Sequence, residues 1–200
     1  METQTTSELL ESLLDGADQE AWRRFDERYR PILVGFAASL GLSETDSADI
    51  AQETVSRFLK SYRDGKYDRT KGRLRSWLIG IAKHCIGDMN ANIRRRREIH
   101  GLSAIQALPD DARLTQIWET QHLQALIRQA LAELRRDTRI ANRTIDTFEM
   151  LALEGHKPAE VARRLNVSLN DVYLAKHRCL KRLRDILDQL RQVYNLDTIG

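Results

Sequence analysis

The chain has 200 residues, of which 30% are charged and 6% are aromatic, and its formal net charge at pH 7 is +3. This length allows one large domain or two small ones, and either could bury a hydrophobic core. The few prolines and glycines and the long stretches of helical apolar spacing predict an all-α fold of two small domains joined by a linker. No apolar run reaches the length of a membrane span and no signal peptide is recognisable, so we expect a cytoplasmic protein.

The first two predicted helices are apolar on one side. A short helical spacing near the N-terminus joins Leu9, Leu10, Leu13 and Leu14 and stops at Asp15-Gly16. A second helix is predicted from Asp18 to about Leu40, with an interruption near Pro31. Its core side carries Trp22, Phe25, Tyr29, Leu33 and Phe36.

The third predicted helix begins at Asp46, where Ser43 or Thr45 can cap it, and ends near Tyr62. Its inward residues are Ile50, Val55, Phe58 and Tyr62. At 100° per residue, Asp46, Asp49 and Glu53 then share the outward face, which is therefore acidic. A polar loop follows over residues 63–72, and its tyrosine, Tyr67, lies among cations.

A fourth helix is predicted from Leu74 to about Ile99. Its core residues are Leu74, Trp77, Leu78, Ile81, Cys85 and Ile86. Its far end carries four consecutive arginines, Arg94 to Arg97, and adjacent like charges on a helix repel one another unless a polyanion meets them. This end of the helix therefore favours contact with nucleic-acid phosphates.

Residues 100–116 are rich in turn-forming residues, and we interpret them as an interdomain linker. The second domain would then begin near Ile117. One of its helices is indicated by Leu123, Leu126, Ile127, Ala130, Leu131 and Leu134. Another, which stops at Glu154-Gly155, is indicated by Ile145, Phe148, Leu151 and Ala152.

A helix-turn-helix is predicted from Pro158 to about Arg184. Pro158 suits a first helical turn, Asn166 tolerates a left-handed backbone in the tight turn, and Ser168 can cap the next helix. The buried stripe of that helix is Val172, Ala175, Cys179, Leu183, Ile186 and Leu190. The opposite face is cationic and polar, and in this motif it meets base edges and phosphates.

Two cysteines, Cys85 and Cys179, lie far apart with no ligand pattern around them, so we interpret both as small apolar core residues. No nucleophile has a plausibly placed base, and no glycine-rich phosphate loop or metal-ligand cluster is recognisable. We therefore expect neither an enzyme nor a bound cofactor or metal.

Several stretches of the chain, taken in order, resemble bacterial RNA polymerase sigma factors of the extracytoplasmic-function (ECF) type in the sigma-70 family. The stretches that carry the resemblance are residues 46–54, 71–84 with Asp88 and the arginine run, 154–162 and 172–184. The resemblance extends from about residue 18 to 190. It implies that residues 1–99 form a region 2-like domain and residues 117–200 a region 4-like domain.

The resemblance also implies three sets of contact residues. The set for the clamp of core RNA polymerase is Asp46, Asp49, Gln52 and Glu53. The set for the −10 promoter element is Tyr62, Tyr67, Lys71, Arg73, His84, Asp88, Arg94, Arg95, Arg96 and Arg97. The set for the −35 element is Ser168, Asn170, Tyr173, Leu174, Lys176, His177, Arg178 and Lys181. Opening of the promoter needs a pocket for an unstacked base, and the predicted pocket is the loop from Tyr62 to Lys71 with His84 beside it.

The sequence departs from the family pattern at two positions. Ala48 stands where the family often has an acid, and His84 stands where it often has asparagine. Phosphorylation of Ser47 or Thr54 would add negative charge to the acidic helix, so a Ser/Thr kinase is a candidate partner beside an anti-sigma factor.

The alternative hypothesis is a conventional helix-turn-helix transcriptional regulator. Residues 1–100 would then be a sensing or dimerisation domain, and only the C-terminal domain would touch DNA. This hypothesis accounts for residues 158–184 equally well, but it leaves the arginine run and the acidic helix face unexplained.

Overall fold

The computed structural model describes residues 6–14, 18–68, 70, 72–98 and 108–194, and of Thr6, Arg94 and residues 96–98 it describes the backbone alone. Over these residues the regular structure is entirely helical, which confirms the predicted all-α fold. The helices are α1 (Thr6–Ser12), α2 (Gln19–Ser39), α3 (Glu44–Arg63), α4 (Leu74–Glu98), α5 (Asp111–Arg136), α6 (Asn142–Ala152), α7 (Pro158–Leu165) and α8 (Leu169–Tyr194). Within the described ranges, none of these helices has the length and apolarity needed to cross a membrane.

The described chain divides into two compact units, one ending at Ala125 and the other spanning Leu126–Tyr194. The first unit is built from α1 to α4 and the first half of α5. In its core Phe25 of α2 stacks on Phe58 of α3, with ring centroids 4.6 Å apart. The stop predicted at Asp15-Gly16 lies outside the described residues.

Helix α2 continues through Pro31, so the predicted interruption is wrong. Proline lacks an N–H group and leaves the carbonyl of Glu27 without its helical donor. Pro31 and Glu27 both lie on the exposed side of α2, where water can satisfy that carbonyl. The helix therefore keeps its buried residues in line on both sides of the proline.

The start of α5 differs from the predicted linker. Residues 111–116 are helical, and Asp110 caps the helix because its carboxylate accepts a hydrogen bond from the backbone N–H of Arg113 at 2.8 Å. Leu114 and Trp118 are buried in the core of the first unit. The sequence Pro109-Asp110-Asp111 is therefore a helix start, and the division between the units falls after Ala125, later than the predicted Ile117.

The second unit buries one side each of the second half of α5, of α6 and of α8. Its core residues include Leu126, Ala130, Leu134, Phe148, Cys179, Ile186 and Leu190. Leu123 and Ile127, predicted on the same apolar face, are exposed because they lie on another side of α5. Cys85 and Cys179 are both buried, as predicted, and burial raises the pKa of the Cys179 thiol to about 11.

Asp137, in the connection between α5 and α6, forms ion pairs with Arg139 and with Arg182 of α8. Hydrogen bonds from Arg139 and then from Arg182 hold the pKa of this carboxyl well below its usual value of about 3.9. A carboxyl whose folded-state pKa is depressed stabilises the fold above its ordinary pKa, and this contribution is lost as the pH falls toward the folded-state pKa.

We therefore expect Asp137→Asn to be less stable than the parent at about pH 6, with a difference that shrinks as the pH falls below about 4. The measurement is the urea midpoint of unfolding, followed by circular dichroism over this pH range. A difference of the same size at every pH would show that the ion pairs do not contribute.

Candidate polymerase and nucleic-acid interfaces

Three of the four residues predicted to contact the polymerase share an exposed face of α3. Asp49, Gln52 and Glu53 are exposed, because Ile50 and Ala51 between them turn into the core. We call these three residues the acidic face. The Glu53 carboxylate accepts a hydrogen bond at 2.6 Å from Arg57, which also donates to Asp88 of α4 at 2.8 Å. The acidic face is thereby connected to the helix that carries the predicted −10 residues.

Asp46 has a different environment, at the N-terminus of α3. Ser43 is the N-cap: its hydroxyl accepts a hydrogen bond from the backbone N–H of Asp46 at 3.1 Å and donates one to the Asp46 carboxylate at 2.7 Å. The helix therefore begins at Glu44, two residues earlier than predicted. The half-buried Asp46 carboxylate belongs to this cap and only partly to the exposed surface.

Ser47 and Thr54, the predicted phosphorylation sites, are both fully buried. They repeat with Ile50 and Ala51 at steps of three and four residues, so their hydroxyls face the core of the first unit. A kinase could reach neither side chain in the folded domain. The prediction of phosphorylation at these residues is therefore wrong for the folded chain.

The loop between α3 and α4 is bordered by a row of aromatic rings. Tyr67 stacks on Trp77 of α4 with centroids 4.8 Å apart, and Trp77 and Phe58 form a T-shaped pair with centroids 5.3 Å apart. Tyr62 lies between Phe58 and Tyr67, at 5.6 Å and 5.9 Å from them. Neighbouring rings thus hold each tyrosine ring in place, as a stacking platform requires.

A cavity of about 280 Å³ opens beside this aromatic row. Its walls are Lys66, Tyr67, Asp68, Gly72, Arg73, Ser76 and Trp77. Trp77, predicted as a core residue, is half-buried and forms a wall of the cavity. The predicted residue Lys71 lies outside the described residues.

His84 does not lie in that cavity. It borders a second one of about 680 Å³, together with Lys83 and Asp88 of α4 and Asp111 of α5, and Ser76 lines both. The Nδ1–H group of His84 donates to the carbonyl of Gly80 at 2.6 Å, which leaves Nε2 for a ligand. The single pocket predicted from the sequence is therefore two neighbouring cavities.

The arginine run continues α4 as a helix to Glu98. The exposed Arg95 side chain donates to Asn92 at 2.6 Å. The side chains of Arg94, Arg96 and Arg97 lie outside the described structure.

The tight turn between α7 and α8 has the predicted local chemistry. Asn166 is left-handed, with φ 48° and ψ 56°, and Pro158 stands in the first turn of α7. Ser168 accepts from the backbone N–H of Asp171 at 3.1 Å and donates to the Asp171 carboxylate at 2.6 Å. The prediction that Ser168 caps α8 is confirmed, and its hydroxyl is engaged by this cap.

Arg143, a residue of the neighbouring helix α6, forms hydrogen bonds to the backbone of the same turn. Its guanidinium donates to the carbonyl oxygens of Leu165 and Asn166, the latter at 3.0 Å. Hydrogen bonding to Ser168 lowers the pKa of Asp171, and the charges of Arg143 and Arg178 lower it further. Sequence reasoning missed Arg143, because nothing in its local sequence indicates a contact more than twenty residues away.

The outer face of α8 presents the other predicted −35 residues to solvent. All of the following are exposed: Asn170, Tyr173, Leu174, Lys176, His177, Arg178 and Lys181. The buried stripe holds Val172, Ala175 and Cys179 on the opposite side. The helix therefore combines one core face with one polar, cationic face.

Residues 25–98 match the family model described as Sigma-70 region 2. The match covers most of α2 and all of α3, the aromatic loop and α4, and it supports a sigma factor of the sigma-70 family. Sigma factors are transcription initiation factors and not enzymes, and their region 2 binds core RNA polymerase and the −10 promoter element. A search of the curated proteins found no match.

Proposed function

We propose that this chain is a sigma factor of the ECF type, which binds core RNA polymerase and directs initiation by recognising the −10 and −35 promoter elements. The observation that carries the proposal is the match of residues 25–98 to Sigma-70 region 2, because that segment contains both the acidic face and the aromatic cavity. The second unit supplies an exposed cationic helix for duplex DNA.

The acidic face of α3 would contact the clamp of core RNA polymerase. Asp49 and Glu53 are exposed one helical turn apart, so both carboxylates can meet one basic surface. Complementary charge across an interface raises the association rate and fixes the orientation of the partners. Asp46, at the capped end of α3, would contribute less than these two residues.

The aromatic row and its cavity would hold an unstacked base of the −10 element. A base that leaves the duplex is retained by stacking on aromatic rings and by hydrogen bonds to its edge. Tyr67 and Trp77 offer the ring faces, and Asp68 and Ser76 offer hydrogen-bonding groups. Arg73 and the arginine run would contact adjacent phosphates, while His84 would meet a neighbouring nucleotide in the second cavity.

The outer face of α8 would enter the major groove of the −35 element. In a helix-turn-helix the N-terminal part of the second helix reads base edges, so Asn170 and His177 are the proposed polar contacts. Lys176, Arg178 and Lys181 would meet phosphates and orient the helix. Arg143 and the Ser168 cap would fix the angle at which α8 leaves the turn.

The proposal is tested by pull-down of core RNA polymerase with the full chain, followed by run-off transcription from promoter fragments. We expect stable binding to core enzyme and initiation that depends on the added chain. A conventional helix-turn-helix regulator would bind DNA without binding core enzyme stably and would not confer initiation on it. That result would reject the proposal.

Lys181 and Asn170 should have separable effects on −35 recognition. We expect Lys181→Ala to weaken duplex binding by holoenzyme across sequences and to lower the dependence of log K on log salt by about 1. Asn170→Ala should change base preference by about 1–3 kcal/mol at one position, and His177→Ala should act in the same way. The measurement is holoenzyme affinity for single-base variants of a bound duplex at several salt concentrations.

Arg191→Ala is the matched control for Lys181→Ala, because Arg191 is also exposed but lies near the C-terminal end of α8. It should leave affinity and salt dependence nearly unchanged. If substitutions from Asn170 to Lys181 also left duplex binding unchanged, α8 would not be the recognition helix.

A further inference from the structure

Three large apolar side chains, Leu169, Tyr173 and Leu174, are exposed on the first two turns of α8. Tyr173 is 51% exposed and Leu174 is 43% exposed, although the buried stripe of the same helix passes through their neighbours Val172 and Ala175. They follow Asn170 by three and four residues, so they flank it on the helix surface. The apolar pair therefore lies within the proposed base-reading face of α8.

The surroundings of this pair indicate the chemistry of its partner. Lys176, His177, Arg178 and Lys181 are all exposed on the same helix. A partner that fits this surface must offer an apolar group recessed between anionic groups. The major groove of DNA has this pattern, because the C5-methyl group of thymine projects from the base edge between two phosphate backbones.

We propose that Leu174, with Tyr173 beside it, contacts thymine methyl groups and so selects A·T base pairs in the −35 duplex. The inference rests on the proposed function, since it assigns base specificity to the same face of α8. Leucine offers no hydrogen bond, and it can distinguish thymine from cytosine only through the methyl group. The neighbouring Asn170 side chain fits the N6 and N7 edge of adenine, which favours the same kind of base pair.

The experiment removes single methyl groups from the DNA. Holoenzyme made from the full chain and core RNA polymerase first selects duplexes from a random pool. Each thymine of the selected −35 element is then replaced, one at a time, by deoxyuridine, which keeps every hydrogen-bonding group and lacks only the methyl. We expect binding to weaken about fourfold at one or two positions, the factor that corresponds to one buried methylene group.

The same duplexes are then measured with variant holoenzymes. Leu174→Ala should lower the affinity for the thymine duplex and abolish the difference between thymine and deoxyuridine at its position. Tyr173→Ala should do so at a neighbouring position. The control is Leu153→Ala, which shortens a leucine that is 55% exposed at the end of α6 and should keep the full difference.

Three results would overturn the inference. Equal affinity of the parent for thymine and deoxyuridine at every position would show that no methyl group is read, as expected if the apolar pair instead bound a protein. An unchanged difference in both alanine variants would assign the reading to another residue. If the holoenzyme selected no duplex at all, the proposed −35 function would fail as well, which distinguishes the two failures.

Discussion

Replacing Asp49 and Glu53 together with alanine is expected to weaken binding to core RNA polymerase by about a hundredfold, while the fold remains intact. Truncating one partner of a desolvated charge pair costs about 2–5 kcal/mol at protein interfaces, because the opposite charge is left unpaired. Both carboxylates are exposed and neither belongs to the core of the first unit. The Glu53–Arg57 ion pair is solvent-exposed, and pairs of this kind contribute at most about 1 kcal/mol to stability.

The matched control for this double variant is Glu20→Ala with Glu27→Ala. These glutamates are exposed on α2, and each pairs with Arg23, so the control removes the same charge from the same unit. Affinity for core enzyme is measured by competition against the labelled parent, and stability by urea unfolding. An equal loss of affinity in both double variants would indicate a general effect of charge and would reject the acidic face as a contact.

The turn between α7 and α8 shows which structure a sequence can predict. Pro158 restricts φ, Asn166 tolerates a left-handed backbone, and Ser168 satisfies N–H groups at the start of α8. Each of these effects acts within about four residues, so the residue types alone indicate the geometry. The structure confirms all three local predictions.

The start of α5 shows a structure that local residue types do not determine. Proline followed by two aspartates is typical both of a loop and of a helix N-terminus, and only tertiary packing decides between them. Here Trp118 and Phe36 of α2 form a T-shaped ring pair, with centroids 6.1 Å apart. This contact joins residues more than eighty positions apart and is not encoded in the local sequence.

Some features of the candidate site also follow from the local sequence, whereas others depend on tertiary packing. The exposed and buried faces of α3 and α8 follow from helical spacing. The same spacing puts Ser47 and Thr54 on the buried side of α3, which the phosphorylation prediction overlooked. The separation of His84 from the aromatic cavity depends on how α4 meets its neighbours, and the contact of Arg143 with the turn depends on how α6 meets α7. Both arrangements are tertiary and could not be predicted from spacing.

Phe58→Ala is expected to destabilise the first unit by about 3–5 kcal/mol, the usual cost of removing a buried aromatic ring. The ring is fully buried, stacks on Phe25 and forms a T-shaped pair with Trp77. Its loss leaves a cavity between α2, α3 and α4 that rigid neighbours can fill only in part. The measurement is the free energy of urea unfolding followed by tryptophan fluorescence.

Two comparison variants test whether the loss of stability in Phe58→Ala comes from the missing buried ring. Phe58→Leu keeps most of the apolar volume and should lose clearly less stability, whereas Leu14→Ala truncates a leucine that is 60% exposed and should change stability little. Equal losses for Phe58→Ala and Leu14→Ala would mean that the aromatic stack does not stabilise the core.

Phe58→Leu also tests whether core packing at position 58 supports the walls of the proposed −10 cavity. Trp77 rests on Phe58, and Tyr67 rests on Trp77, so a smaller residue at position 58 removes the support beneath both cavity walls. The acidic face of α3 does not depend on that support. We therefore expect the folded Phe58→Leu variant to bind core RNA polymerase like the parent but to bind single-stranded −10 DNA more weakly. Parallel losses of both affinities would instead indicate that the whole unit is disturbed.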